Sequence, residues 1–242
     1  MGKLIEDPAL RDKVYVFIDR TDAGQRLAAS LLKSRKDIHL YALPAGGVPA
    51  AADIALFAIP AGGAPVGAEI ARLLGIPMDL VIVRKIQLPW TTEAGFGALN
   101  PAGEAIFNEE LLERTHLSPE EIQEQVQKTL AVIQQREARL RGGKPYPRLN
   151  GRTTLVVDDG LASGYTMRAA LSFLKGQGAG PLIVAVPTAS GRTVRELLPL
   201  VDELYCLNVR TGWSFAVADA YQAWYDLTED EVRGILASVG KD

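Results

Sequence analysis

Short apolar runs alternate along the chain with longer segments in which apolar residues recur every three or four positions. Continuous runs rich in β-branched residues predict buried strands. They occupy residues 14–18, 38–43, 80–83, 153–157, 182–186 and 203–208. The longer segments, of which 22–33 and 165–175 are the clearest, predict amphipathic helices. Alternation of strand and helix is typical of βαβ units. We therefore expect an α/β fold with a doubly wound, mostly parallel sheet flanked by helices.

Two predicted helices lie outside this alternation. The first covers residues 118–140 and opens with a capping box, in which Ser118 and Glu121 satisfy each other's backbone amides. The second covers residues 228–239 and begins in the same way. Either helix could serve as a lid or simply pack against the sheet. We expect residues 103–148 to form a small helical hood on a single domain that spans the whole chain.

Charge and cysteine content exclude several classes of protein. The 242 residues include 26 basic and 29 acidic side chains, a formal net charge of −3, which argues against a nucleic-acid partner. Cys206 is the single cysteine, so there is no intrachain disulfide, and a reducing compartment is expected. We find no apolar run of about 18 residues and no signal-peptide core at the N-terminus. A cytoplasmic protein without a membrane span is expected, with a homodimer left open.

The most informative stretch is 153–167, in which an apolar run ends in two adjacent carboxylates and a short loop then opens a helix. Asp158 and Asp159 would lie at the carboxyl end of a parallel strand, where open α/β sheets bind ligands. The loop residues that follow would hold a phosphate through backbone amides and hydroxyls. They are Gly160, Leu161, Ala162, Ser163, Gly164, Tyr165 and Thr166. The competing explanation is a capped helix, although a cap needs only one acid.

The order of an apolar run, two acids, a small-residue spacer and Ser-Gly-x-Thr resembles the signature of the type I phosphoribosyltransferases, which bind 5-phosphoribosyl 1-pyrophosphate (PRPP). The resemblance implies transfer of the phosphoribosyl group to an acceptor, with release of pyrophosphate. It implies that Asp158 and Asp159 orient the ribose and bind Mg²⁺, directly or through PRPP and water. It also implies that loop 160–166 holds the 5′-phosphate. Residues 17–24 and 93–97 resemble a group of predicted phosphoribosyltransferases without an assigned base.

A segment of the chain is duplicated in tandem, because residues 42–55 recur as 58–71 with the same Pro-Ala-Gly-Gly core. Glycines at a strand-to-helix turn expose backbone amides to an anion. The resemblance places the pyrophosphate of PRPP on this turn, although many relatives carry a basic residue where both copies have alanine. Residues 45–47 of the first copy are the alternative, and a plain turn is the competing explanation. The residues that we assign in the second copy are Ala61, Gly62 and Gly63.

Two cations follow the predicted strand 80–83. Arg84 and Lys85 are suited to bind pyrophosphate, and with Asp158 and Asp159 they are the candidate catalytic residues. Surface ion pairing is the competing explanation for both cations. The next residues, 87–97, are interpreted as a mobile loop that resembles the region closing over PRPP in this superfamily. Closure would exclude water from an easily hydrolysed ribosyl cation.

Three functions remain open at this point. A transferase would pass the phosphoribosyl group to a nucleobase or related nitrogen nucleophile, a sensor would bind PRPP without turnover, and a flavodoxin-like phosphate binder would prefer a nucleotide or flavin. The 6-oxopurine enzymes carry an aspartate where this chain has Ala162, which argues against hypoxanthine or guanine chemistry by that route. The aromatic side chains that could stack on an acceptor are Trp90, Tyr165, Trp213 and Phe215.

Overall fold

The computed structural model describes residues 2–34 and 54–239. Its strands are β1 (Lys3–Ile5), β2 (Ile54–Ala58), β3 (Met78–Leu80), β4 (Arg84–Leu88), β5 (Thr91–Leu99), β6 (Ala105–Phe107), β7 (Thr153–Val157), β8 (Leu182–Ser190) and β9 (Glu203–Arg210). Its helices are α1 (Arg20–Ser34), α2 (Gly63–Leu74), α3 (Glu109–Thr115), α4 (Pro119–Arg141), α5 (Tyr165–Gly176), α6 (Gly191–Leu197) and α7 (Glu229–Val239). The predicted strand 38–43, the alternative turn 45–47 and residues 42–53 of the first duplicated copy lie outside the described residues.

Six strands form one parallel sheet in the order β1-β9-β8-β7-β2-β3. Successive residues of a strand point to opposite faces, and here both faces are covered by helices. Val156 and Val184 pack with α5 on one face, whereas Leu155 and Ile183 pack with α1 and α2 on the other. Burial on both faces explains why these strands are continuous apolar runs. The predicted fold class is confirmed.

The prediction of a strand at residues 14–18 is wrong. Tyr15 adopts a left-handed backbone conformation (φ 54°), and only Phe17 makes an isolated bridge, to Tyr221. The predicted strand 80–83 also ends early, at Leu80, because the chain then leaves the parallel sheet and enters a second sheet at Arg84. Arg84 and the residue after it therefore begin a strand rather than end one.

The second sheet replaces the mobile loop expected at residues 87–97. β4, β5 and β6 form an antiparallel sheet, and the β4–β5 hairpin turns at Pro89 and Trp90. Gly95 and Gly97 read as loop residues in the sequence, but they are needed where the strands approach too closely for a side chain. A Cβ atom at Gly97 would lie 2.5 Å from the carbonyl oxygen of Ile106.

The segment of the chain between β5 and β7 contains β6, α3 and α4. Helix α4 begins after the predicted capping box, in which the Ser118 hydroxyl accepts from the amide of Glu121 and the Glu121 carboxylate accepts from the amide of Ser118. Ile133 of α4 is fully buried in a cluster with β4, β5 and Val232 of α7. The hood at residues 103–148 stays a prediction about domain organisation. Within the described residues, no helix is long and apolar enough to cross a membrane.

The capping box gives a stability prediction for α4. We expect Ser118→Ala to lower the free energy of unfolding by about 1 kcal/mol, because the amide of Glu121 loses its acceptor. Ser118→Thr keeps the hydroxyl and should cost clearly less. Urea denaturation of the two variants checks the prediction. Equal losses in both would show that the cap does not stabilise this helix.

Candidate active site

The candidate site forms where neighbouring parallel strands end. β2 and β7 pair side by side, with Ala58 opposite Val157, so the turn after β2 and the acids after β7 meet at one edge of the sheet. The approach is close: a Cβ atom at Gly63 would lie 2.7 Å from the carbonyl oxygen of Val157. One at Gly62 would lie 1.9 Å from Oδ2 of Asp159. The two glycines therefore allow the turn to pack directly against the acidic pair.

Asp158 and Asp159 are held in a low-dielectric position. Asp158 is 9% exposed, and its Oδ1 accepts a hydrogen bond of 2.9 Å from the amide of Asp159. Burial, followed by the adjacent Asp159 carboxylate, raises the pKa of Asp158 well above the usual range. Burial also raises the pKa of Asp159, and the nearby Arg20 guanidinium offsets part of that rise. A cation or a hydroxyl donor bound beside the pair would therefore stabilise the ionised carboxylates.

Arg20 compensates the charge of Asp159. Its Nε lies 2.9 Å from Oδ2 of Asp159, and both side chains are largely buried, at 8% and 14% exposure. Its Nη1 donates to the carbonyl oxygen of Tyr225 at 2.9 Å, and the guanidinium lies 3.9 Å from the centre of the Trp224 ring. The Tyr221 hydroxyl donates to the backbone carbonyl of Asp159 at 2.6 Å. Arg20 therefore fixes the carboxylate of Asp159, and Tyr221 fixes its backbone.

The loop between β7 and α5 is tied down at its middle. The amide of Leu161 donates to the carbonyl of Thr188, and the carbonyl of Leu161 accepts from the amide of Ser190. Gly164 precedes α5 in a left-handed conformation (φ 76°), a position that favours glycine. No side chain among the described residues caps the helix. The first amides of α5 are therefore available to an anion, as the sequence predicts.

A cleft of about 320 Å³ brings most of the predicted groups together. Its lining includes the predicted residues Ala61, Gly62, Arg84, Lys85, Asp158 and Thr166. The amide of Gly63 donates to the carbonyl of Ile59, so it is already engaged within the turn. The cations, the turn after β2 and one acid thus share a single cavity.

Part of the predicted phosphate loop faces elsewhere. Ala162, Ser163 and Tyr165 line a second cavity of about 410 Å³, whose other walls come from α3 and α6. Leu161 is buried, and Gly160 packs against Val217 so closely that an added Cβ atom would lie 2.6 Å from it. The loop therefore separates two cavities, and Thr166 belongs to the first.

Sequence reasoning missed two arginines of the site. Arg20 lies within the segment 17–24 that resembles other phosphoribosyltransferases, so its signal was visible but no role was assigned to it. Arg136 lines the same cleft as Arg84. It is one of several charged residues on the long helix α4, and its spacing carries no chemical signal. Only packing of α4 against the second sheet brings it to the site.

Comparisons with known proteins show the family of this chain. A family model described as the phosphoribosyl transferase domain matches residues 18–189, which include the acidic pair, the turn after β2 and the β4–β5 hairpin. The chain belongs to the phosphoribosyl transferase domain family.

Individual relatives extend the similarity over nearly the whole chain. The chain is 32% identical over 228 residues to two Mycobacterium tuberculosis proteins, named "Putative phosphoribosyl transferase Rv0571c" (strain H37Rv) and "Putative phosphoribosyl transferase MT0597" (strain CDC 1551). Each match covers 94% of this chain and 48% of the relative, so the chain spans about half the length of these curated relatives. The chain is also similar to the crystal structure of TT1426 from Thermus thermophilus, with 31% sequence identity and a TM-score of 0.68. This match covers 92% of this chain and 98% of TT1426.

The ion pair of Arg20 gives a pH-dependent prediction. We expect Arg20→Met to lower the free energy of unfolding by about 3 kcal/mol at neutral pH, because it leaves a buried carboxylate uncompensated. Loss of Arg20 raises the pKa of Asp159 further above its unfolded value. The folded variant then binds a proton more readily than the unfolded chain, so its deficit relative to wild type should shrink as pH falls.

Denaturant unfolding of Arg20→Met measures this effect. The pH should run from about 4, near the ordinary pKa of a carboxyl group, to about 8. Arg26→Met is the matched control, because Arg26 pairs with Asp22 on the surface of the same helix and should cost at most about 1 kcal/mol. A deficit of Arg20→Met that stays constant with pH would contradict the assignment of Asp159 as its partner.

The contact between Gly62 and Asp159 gives a second prediction. Gly62→Ala should lower the free energy of unfolding by about 1 to 3 kcal/mol, because the added methyl group collides with a carboxylate that Arg20 holds in place. Gly234→Ala is the control: Gly234 is an exposed residue of α7 with open space around its Cβ position, so alanine should stabilise the helix. Thermal unfolding distinguishes the two, and a neutral Gly62→Ala would contradict the close approach.

Proposed function

We propose that this protein transfers the 5-phosphoribosyl group of PRPP to a nucleobase or related nitrogen nucleophile and releases pyrophosphate. The observation that carries the proposal is the single cleft that contains Ala61, Gly62, Arg84, Asp158 and Thr166. Each group is suited to one part of the same ligand. Membership of the phosphoribosyl transferase domain family supports the choice of PRPP over a nucleotide or flavin.

In the proposed reaction, the bond from C1 of the ribose to pyrophosphate breaks, a bond from C1 to the acceptor nitrogen forms, and a proton carried by that nitrogen is released to solvent. The electron pair of the breaking bond leaves with pyrophosphate. Positive charge develops on the ribosyl group, so the protein contributes by positioning the reactants and stabilising charge. Asp158 and Asp159 would accept hydrogen bonds from the ribose hydroxyls. Loop 160–166, through Thr166 on the side of the cleft, and the first amides of α5 would hold the 5′-phosphate.

Pyrophosphate would lie on the turn after β2. Gly63 already donates its amide within the turn, whereas the amides of Ala61 and Gly62 have no backbone acceptor among the described residues and would serve the ligand. Arg84 and Lys85 would supply positive charge from the start of β4. The β4–β5 hairpin borders the same cleft through Gln87 and Thr92, and its Trp90 is 62% exposed at the turn.

The acidic pair fits a magnesium ion. Mg²⁺ is bound in phosphate-transfer sites by one or two carboxylates together with phosphate oxygens and water. Asp158 lines the cleft, and one of its carboxylate oxygens accepts a hydrogen bond from the amide of Asp159. The carboxylate of Asp159 accepts a hydrogen bond from Arg20. Asp158 is therefore the better placed of the two to hold the ion, directly or through water. The ion would supply positive charge that neutralises the leaving pyrophosphate.

A second candidate function is a PRPP sensor that binds without turnover. The observation that favours it is the absence of a charged side chain from residues 60–63, which leaves the pyrophosphate turn without a cation of its own. A sensor would keep the acidic pair and the phosphate loop but would not release pyrophosphate.

The first experiment is calorimetric titration of Mg²⁺–PRPP into the protein and into Asp158→Asn/Asp159→Asn. We expect wild-type binding, with affinity reduced at least tenfold in the variant, because a loss of about 1.4 kcal/mol or more follows from removing two charged acceptors. Ser172→Ala is a control that should bind normally, because the Ser172 hydroxyl donates to Glu104 and does not line the cleft. Absence of wild-type binding by a folded protein would overturn the proposal.

Pyrophosphate release in the presence of a panel of nucleobases then separates the two functions. Release that depends on one acceptor would establish the transferase. Binding of PRPP without release for any acceptor in the panel would favour the sensor.

A further inference from the structure

Arg136 enters the candidate cleft from a helix outside the parallel sheet. It lies on α4, yet it lines the cavity together with Ala61, Gly62 and Arg84. Its side chain is only 12% exposed, and its Nε donates to Oε1 of Glu229 at 3.1 Å. An arginine in a cleft, fixed by a carboxylate from another helix, has lost most of its rotamer freedom before any ligand binds.

The support for Arg136 comes from the first residue of α7. Oε2 of Glu229 also accepts a hydrogen bond from Nη1 of Arg139, at 3.3 Å. Arg139 is 68% exposed and does not line the cleft, whereas Arg136 does. One carboxylate therefore holds two arginines of the same helix, of which only one faces the cavity.

The charges of the cleft favour an anion. Burial, followed by repulsion from the nearby Arg84 guanidinium, lowers the pKa of Arg136. Among the described residues, Arg84 has no carboxylate partner. The acidic groups facing the two arginines are Asp158 in the cleft and Glu229 behind it. An anionic ligand between the guanidinium groups would relieve their repulsion.

The position of Arg136 within the cleft indicates which part of the ligand it would contact. Arg136 shares the cavity with the turn after β2, and residues 60–63 of that turn carry no charged side chain. Ala162 and Ser163 of the phosphate loop line a different cavity. A group with several negative charges needs cations close to it, which the turn itself does not supply.

On the basis of the proposed function, we propose that Arg136 binds the pyrophosphate group of PRPP and supplies the cation that the turn 60–63 lacks. Glu229 is its positioning residue. The guanidinium of Arg136 would bind from the side of α4 and that of Arg84 from the side of β4, with the amides of Ala61 and Gly62 beneath. The contact between α4 and α7 is then part of the substrate site.

The test compares ligands that differ by the pyrophosphate group. Calorimetry would measure Mg²⁺–PRPP, Mg²⁺–pyrophosphate and ribose 5-phosphate binding to wild type, Arg136→Gln and Arg139→Gln. We expect Arg136→Gln to weaken both pyrophosphate-containing ligands by roughly ten- to a hundredfold, the loss typical of a charge-assisted hydrogen bond. Affinity for ribose 5-phosphate should change less than about twofold, since no hydrogen bond is lost. Arg139→Gln shares the helix and the carboxylate but should bind all three ligands normally.

Two more variants separate binding from folding. Arg136→Lys keeps the charge and should recover part of the affinity for pyrophosphate, while Glu229→Gln should weaken it less than Arg136→Gln. Circular dichroism and thermal unfolding confirm that each variant is folded.

The outcomes of the test are distinct. Equal affinity of wild type and Arg136→Gln for Mg²⁺–PRPP would overturn the inference and leave the proposed function intact. Equal weakening of all three ligands would also overturn it, because it would indicate a general disturbance of the cleft. Failure of wild type to bind PRPP would overturn the proposed function and the inference together.

Discussion

Burial of two adjacent carboxylates at the end of β7 is the constraint on which the site depends. A buried charge without a partner is costly, and two like charges side by side are costlier still. Arg20 is placed against Asp159 for this reason, and Tyr221 fixes the backbone of the same residue. Gly62 lacks a side chain because a methyl group there would meet the carboxylate. The N-terminal helix, the turn after β2 and the chain after β9 thus converge on one acidic group.

The positive charges of the cleft are also incompletely compensated. Arg84 and Arg136 bring positive charges close together in a partly buried space, with Glu229 supporting only the second. A ligand with hydroxyl groups at one end and a multiply charged anion beside them would satisfy the acids and the arginines at once. In the proposed function, PRPP and a magnesium ion complete an electrostatic arrangement that the protein leaves unbalanced. Preorganised charge of this kind is what a reaction through a charged transition state requires.

The two sheets contribute different residues to the site. The parallel sheet fixes the acids and the turns, because its strands are buried on both faces and cannot slide. The smaller antiparallel sheet and α4 supply the cations, and they are joined to the parallel sheet through a separate apolar cluster that includes Ile133 and Val232. The relatives from M. tuberculosis are about twice as long as this chain, so those proteins contain a further region outside the part that matches it.

Much of this arrangement could be predicted from local patterns. Apolar runs gave the central strands of the parallel sheet, and the acids at the end of 153–157 with the glycine-rich loop after them gave the core of the site. Such features are local: burial on both faces dictates composition, and a phosphate-binding turn needs small residues in sequence. The prediction of a loop at 87–97 was wrong, because glycines where paired strands approach closely cannot be told from loop glycines by sequence.

The sequence by itself therefore determined the fold class, the family resemblance and the positions of Asp158 and Asp159. Only the tertiary structure decided that Arg20 neutralises one of them and that Arg136 reaches the cleft. Arg20 is separated from Asp159 by 139 residues, and Arg136 is separated from Glu229 by 93. The physical reason is that charge compensation acts through space, between groups whose proximity depends on how whole helices and sheets pack.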